Sequence, residues 1–265
     1  MDPIKKYPFN VRSFFTDRET KDIGGGLVLW RGYFQSVRPG IDKMFVNVDI
    51  ATGTMYKPGS LLKLCLEFVA KSDPNALAPS RGFPDRERLR LQRFISNLRI
   101  ITNHADQTGR VRRTPRVVKK VTTAGANQIT FELREGGQMT VAEYFRRVQN
   151  RPLQFPDVVC VEVGTGAKLP LEVCIVPPGQ IMRKQLPPDM TKAVVEFATK
   201  KPHERLQSIR NGLAVSIPNS RIRPFPDRLS FFLGSRLWTV RVRSPIRHEC
   251  RTCSRAAQSP GQGCK

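Results

Sequence analysis

The chain has 265 residues, with 45 Lys and Arg against 22 Asp and Glu, for a formal net charge of +23. Such a field gathers polyanions, so nucleic acid is the expected partner class, and 39% hydrophobic residues with 15 Phe exclude a wholly disordered chain. No apolar run approaches the roughly 20 residues of a spanning helix and the N-terminal segment lacks a signal-peptide core, so a soluble intracellular protein without a membrane partner is expected.

Tyr7 to Phe15 is a short aromatic strand candidate with no partner upstream, as at the end of a larger domain. Leu27 to Val37 follows a three-glycine turn and reads as a long strand. Met44, Val46, Val48 and Ile50 then alternate with polar or outward positions, which predicts a hairpin. Pro58-Gly59-Ser60 precedes a helix with Leu61, Cys65, Phe68 and Val69 on one face and Ser60 as its N-cap. Asp73 before Pro74 marks a linker, and a domain boundary is placed near residue 75.

Residues 86–93 are charged at helical spacing and lead into an apolar strand. Arg110, Arg112, Arg113, Arg116, Lys119 and Lys120 are then interleaved with Val111, Val117, Val118 and Val121, so alternation predicts valines inward and cations outward. No Asp or Glu occurs between residues 107 and 131, which favours a phosphate track over an ordinary solvated edge. Ile129, Phe131 and Leu133 form a small strand, Gly136-Gly137 turns the chain, and Thr140-Val-Ala-Glu143 is a capping box that opens a helix through Tyr144 and Phe145.

Val159, Val161 and Val163 alternate with Cys160 and Glu162, and Leu169 to Val176 reads as a second, buried strand that Pro177-Pro178 stops. This pair is the expected centre of a β core. Asp189 caps a helix with Ala193, Val194, Phe197 and Ala198 inward, and Pro202 starts another with Leu206, Ile209 and Leu213 inward. Cys65, Cys160 and Cys174 sit in apolar patterns and read as core residues. His203 has no nucleophile pattern nearby, so catalysis is not expected of it. His248, Cys250, Cys253 and Cys264 carry half of a zinc spacing without a second ligand pair, so no metal or other cofactor is expected.

Several of these motifs, in this order, resemble the eukaryotic Argonaute family, in wording closest to its fungal members. GGGLVLWRGYFQSVRPGIDKMFVNVDIATGTMY, residues 24–56, is similar to the first linker. TVAEYF, VVCVEVG and LPLEVCIVPPGQ are similar to the PAZ domain, and KPHERLQSI, residues 201–209, to the start of the second linker. The resemblance implies an α+β chain: an OB-like β-barrel PAZ domain with an inserted hairpin and helix, preceded by an α/β linker 1 domain. The implied divisions are an N-terminal remnant at 1–22, linker 1 at 23–75, PAZ at 76–200, the start of linker 2 at 201–216, and an aberrant basic tail at 217–265, expected to be disordered apart from one strand around Phe231 to Val242.

The resemblance also implies a function, holding the 3′ end of a single-stranded small RNA, with silencing-complex proteins as further partners and the cytoplasm, or else the nucleus, as location. The implied contacts are Phe131 against the terminal base, Arg112, Arg113 and Arg116 at phosphates, His104 at the position of a family histidine, and Gln149, Phe155 and Leu169 around the pocket. Where this chain has Gln149 and Phe155 the family usually has tyrosine, and where it has Gln154 a cation. Each lost charge-assisted or phenolic hydrogen bond removes roughly 1–3 kcal/mol, so weak, salt-sensitive binding is expected. No residues resemble the family's cleavage domain, so no slicer activity is expected. The alternative is a decayed piece that acts only as a protein-interaction or structural remnant; on either reading the apolar faces at Phe14, Phe15, Trp30 and around Phe197 are expected to be left uncovered without neighbouring domains.

Overall fold

The computed structural model describes residues 5–40, 43–102, 114–132, 137–164, 166–216, 229–233 and 236–240. His104, Arg112, Arg113 and the His248 to Cys264 cluster lie outside these residues. The first sheet is antiparallel, with β1 (Lys6–Pro8), β2 (Ser13–Gly24), β3 (Leu27–Gly40) and β4 (Lys43–Tyr56) in that order. The β3–β4 hairpin runs in unbroken register from Leu27↔Tyr56 to Gly40↔Lys43, as the alternation predicts. Gly26 turns the chain at φ +76, where a Cβ would stand 3.0 Å from the Leu64 carbonyl oxygen, so only glycine fits.

The aromatic segment is not one unpartnered strand. The chain folds back at residues 9–12, so that Lys6 pairs with Thr16 and Pro8 with Phe14. Phe14, Phe15 and Trp30 are thereby buried, and Tyr7 meets the Trp30 ring edge-on at 5.0 Å. The uncovered face expected there is closed by the chain itself.

β5 (Gly59–Ser60) leads into α1 (Leu61–Val69), then α2 (Asp85–Ile95), β6 (Arg99–Thr102) and β7 (Arg116–Gly125). Ser60 occupies the N-cap position of α1, but its hydroxyl makes no capping bond; a left-handed Ala70 closes the other end. The insert follows as β8 (Thr130–Glu132), β9 (Gln138–Thr140) and α3 (Val141–Arg147), and the core returns with β10 (Val159–Val163), β11 (Lys168–Pro170) and β12 (Cys174–Val176).

The second sheet has the order β11-β10-β7-β6-β12-β5. The apolar run Leu169 to Val176 is two strands rather than one, because a 3-10 turn at Leu171–Val173 breaks it. Leu169 pairs with Val161, whereas Ile175 pairs with Ile101 on the far side of the sheet. A three-residue turn spans only about 6 Å, so the sheet must curl until β11 and β12 nearly meet, yet no ladder joins them and the barrel stays open. Val159, Val161 and Val163 are fully buried at its centre with Leu64, Cys65 and Ile95.

Tyr56 sits where the two sheets meet. Its hydroxyl donates to the Phe94 carbonyl at 2.9 Å, its ring meets Phe94 edge-on at 5.3 Å, and burial pushes its pKa up to about 12. The unfolded chain releases this proton near pH 10 and the folded chain near 12. Stability is therefore intact below pH 10 and falls as the pH rises through that window, by about 2–3 kcal/mol for this residue. Burial raises the Cys65, Cys160 and Cys174 thiols as well, Cys160 to about 12, so the decline should start near the ordinary thiol value. Denaturant titrations at pH 8 and at about pH 11 should show about half of this loss, roughly 1.4 kcal/mol, in the native chain beyond that of Tyr56→Phe; equal losses would remove Tyr56 from the account.

α4 (Pro188–Ala198) and α5 (Pro202–Ser216) pack more shallowly than expected. No residue of α4 is buried, Leu206 of α5 is 49% exposed, and among the described side chains of α5, which end at Gly212 and so leave out Leu213, the buried positions are Ser208 and Gly212. Gly212 lies against the Tyr33 ring where a Cβ would collide. Polar groups centred on Arg31 tie these helices to the first sheet beside the expected inward face of α4, where Ala193, Val194 and Phe197 are half-buried and Ala198 is exposed. Of the C-terminal residues, β13 (Leu229–Leu233) and β14 (Arg236–Val240) form an antiparallel hairpin, in place of the single strand expected in an otherwise disordered tail.

Candidate nucleic-acid interface

The basic strand β7 is braced from one side by α2. Gln92 accepts from the Val121 amide at 3.0 Å through its side-chain oxygen, and Arg88, paired with Asp85 at 2.6 Å, donates to the Val121 carbonyl at 2.9 Å. Alternation fails at its start. Val118 pairs with Val163 and Lys120 with Glu162, so two steps along β7 match one along β10 and Lys119 is the extra residue. Val118 and Val121 are buried, Val117 is 40% exposed, and Lys119 and Lys120 both face solvent. The bulge thus adds a cation to the outer face. Arg116 is half-buried at the head of β7, the end away from the insert.

The insert is built on its capping box. Thr140 Oγ1 accepts from the Glu143 amide at 3.1 Å while the Glu143 carboxylate accepts from the Thr140 amide at 3.2 Å, satisfying two donors that the helix start would leave free. The Val141 and Ala142 amides donate to the Ile129 and Ala126 carbonyls at 2.9 and 3.1 Å, and Val141 and Phe145 are buried in the core. α3 is therefore moored at its start and along one face.

That mooring brings three half-buried side chains together. Phe131 meets Tyr144 edge-on at 5.6 Å and 77°, and Gln149 donates its amide to the Tyr144 hydroxyl at 3.3 Å. Tyr144 is the functional candidate that the sequence reading passed over. Its signal was available: it sits one residue after the capping glutamate and beside a residue that must be core, which puts a phenol at the insert's edge. Part of the Phe131 ring leans on the core cluster, so only its remaining flank can meet a base.

Phe155 also packs half-buried on that core, and its amide donates to Glu172 at 3.1 Å, as does the amide of exposed Gln154 at 3.0 Å. Glu172 thus fixes this loop and places a carboxylate where a phosphate would be repelled. Leu169 is 5% exposed and packs inside the core on β11, so it supports the wall from behind. Among the described residues no group of three or more His, Cys, Asp or Glu could hold a metal ion, and no helix is long and apolar enough to cross a membrane.

Residues 11–57 match the model of the Argonaute linker 1 domain and residues 67–194 that of the PAZ domain. The chain is 32% identical over 203 residues to the protein argonaute of Schizosaccharomyces pombe, covering 75% of this chain and 24% of that protein. It is 31% identical over 213 residues to the protein argonaute MEL1 of Oryza sativa subsp. japonica, covering 78% of this chain and 19% of that one. The crystal structure of Kluyveromyces polysporus Argonaute with a guide RNA superposes with a TM-score of 0.57 at 17% identity, over 79% of this chain and 25% of that chain. The chain thus spans about a quarter or less of the length of the relatives it matches.

Proposed function

The chain belongs to the Argonaute family, carrying its linker 1 domain followed by its PAZ domain, and on that premise we propose that it binds the 3′ end of a single-stranded small RNA. Linker 1 and PAZ are non-catalytic domains, so the role assigned to them is to hold RNA in silencing, in the cytoplasm or else the nucleus and beside silencing-complex proteins. The observation that carries this reading is the Phe131, Tyr144 and Gln149 group on the moored insert. A ring with one free flank, a phenol and an amide are what a terminal nucleotide needs for stacking and for hydrogen bonds to its 2′-hydroxyl. The Lys119 and Lys120 face of β7 supports it as a source of phosphate contacts. The guide RNA in the Kluyveromyces structure agrees with the class of ligand.

Titrating the chain with one RNA sequence carrying either a free 3′ hydroxyl or a 3′ phosphate tests the reading. The free end should bind several-fold more tightly, and both affinities should fall steeply with salt because phosphate contacts release counterions. Equal affinity for the two ends would remove end recognition. A second reading, an interaction remnant without an RNA pocket, is favoured by one observation, the Glu172 carboxylate at the Gln154–Phe155 loop; it predicts no RNA binding beyond that of any basic protein of equal charge.

A further inference from the structure

We propose that a cavity between the two sheets, away from the insert, takes a nucleotide unit of single-stranded RNA as a second contact. The cavity has a volume of about 550 Å³ and is lined by Tyr7, Phe9 and Tyr56 together with Arg99 and Arg183. Ligand pockets run to roughly 300–1,000 Å³, so one nucleotide fits with room for its phosphates. No Asp or Glu is among its lining residues. The nearby carboxylate, Asp17, is not part of the lining; burial and this carboxylate together raise the pKa of the Tyr7 phenol.

The walls are built rather than incidental. Gly179, at φ +81, lets the Tyr7 ring lie against the chain where any Cβ would collide. The Gln180 side-chain amide accepts from the Arg99 amide and donates to the Arg99 carbonyl, both at 2.8 Å, which holds that end of β6 as a partner strand would. Lys184, also in the wall, is committed elsewhere: its ammonium donates to the carbonyls of Phe94 and Ser96 at the end of α2. Arg99 and Arg183 are exposed, and neither is paired with a carboxylate among the described residues. The Arg183 guanidinium stands 5.5 Å from the centre of the 42%-exposed Phe9 ring.

Aromatic faces beside unpaired guanidiniums are the chemistry that holds a stacked base with its phosphates. A continuous strand is favoured over a lone nucleotide because Arg99 lies directly across the ladder from Val117, next to Arg116 and the cations of β7. A polyanion leaving the cavity meets further positive charge along the sheet. The site is independent of the 3′-end reading and does not need it to hold.

The test uses the full chain and a short oligouridylate carrying 4-thiouridine and a 3′ phosphate, so that end recognition plays no part. Photocrosslinking should label the peptide containing Tyr7 and Phe9. Arg99→Gln with Arg183→Gln, both exposed and outside the core, should weaken binding of this blocked RNA by about tenfold and leave the preference for a free end unchanged; Phe131→Ala should do the converse. Absence of the crosslink, or unchanged affinity in the double variant, overturns the proposal. So does displacement of the RNA by an equal concentration of uridine monophosphate, which would assign the cavity to free nucleotides, or by polyglutamate, which would assign it to an acidic peptide.

Discussion

Replacing Arg31 with methionine should lower the stability of the chain by about 3 kcal/mol and release its last two helices from the first sheet. Arg31 is 1% exposed inside β3. Its guanidinium donates to the Thr52 hydroxyl at 3.0 Å, to the Phe197 carbonyl at 2.6 Å and to Glu19 at 3.3 Å, and stands 4.4 Å from the centre of the Phe197 ring. Lys200 joins from the α4–α5 junction, 2.7 Å from Glu19 and 2.8 Å from the Ser208 hydroxyl. Methionine matches the volume but leaves the half-buried Phe197 carbonyl and Thr52 hydroxyl without their donor, and each group left unsatisfied costs about 1–3 kcal/mol. Since no side chain of α4 is fully buried, only the half-buried contacts of Met190, Ala193 and Val194 remain to hold it.

Denaturant unfolding gives the size of the loss, and limited proteolysis between Ala198 and Lys201 gives its place. A change below about 1 kcal/mol, with no new cleavage, would reduce Arg31 to a surface-like pair. The pH dependence offers a second check. Burial works against the Glu19 carboxylate, but Lys200 and Arg31 outweigh it and hold its pKa below the ordinary 4.5. Its contribution is therefore full above pH 4.5 and lost as the pH falls through the lower folded value, and the Arg31 variant should show a shallower acid limb.

Phe145→Ala should cost about 3–5 kcal/mol and abolish discrimination between free and blocked 3′ ends. The ring is 2% exposed and, with Val141, is what α3 sinks into the core. Its backbone carbonyl also accepts from Arg151 at 2.9 Å, which closes the loop after the helix. Without the ring the insert keeps its capping box but loses its anchor, and Tyr144 and Gln149 move with it. Phe131→Ala removes only a half-buried ring, so it should lower end affinity by the roughly 1–3 kcal/mol of a stacked base with a far smaller loss of stability. Measuring denaturation and RNA titration on both variants separates anchoring from contact. If Phe145→Ala retained full end preference, the insert would not be the binding element.

The elements legible in the sequence are those whose signals are local. The β3–β4 hairpin shows itself in period-two alternation and a turn, and α3 in four residues, Thr140 to Glu143, whose side chains and amides satisfy one another. The features that the sequence did not show or showed otherwise all depended on distant residues. The role of Arg31 had no local signal at all, because its partners Glu19, Thr52 and Phe197 lie 12, 21 and 166 residues away. The Lys119 bulge is a mismatch between β7 and β10 that neither strand carries alone. Leu169 reads as a pocket residue by its motif, yet its place on β11 turns it into the core.

By itself the sequence determined that this chain folds around valine-rich strands, carries a capped insert and bears a large excess of positive charge. Periodicity, capping and charge act over a few residues or over the whole chain, and both ranges can be read from a string of letters. Only the tertiary structure decided that the barrel stays open, that Tyr144 joins Phe131, that a buried arginine docks the last helices, and that an acid-free cavity opens between the sheets. Those features arise where segments far apart in the chain meet, and the energy of such a meeting depends on geometry that no local pattern contains.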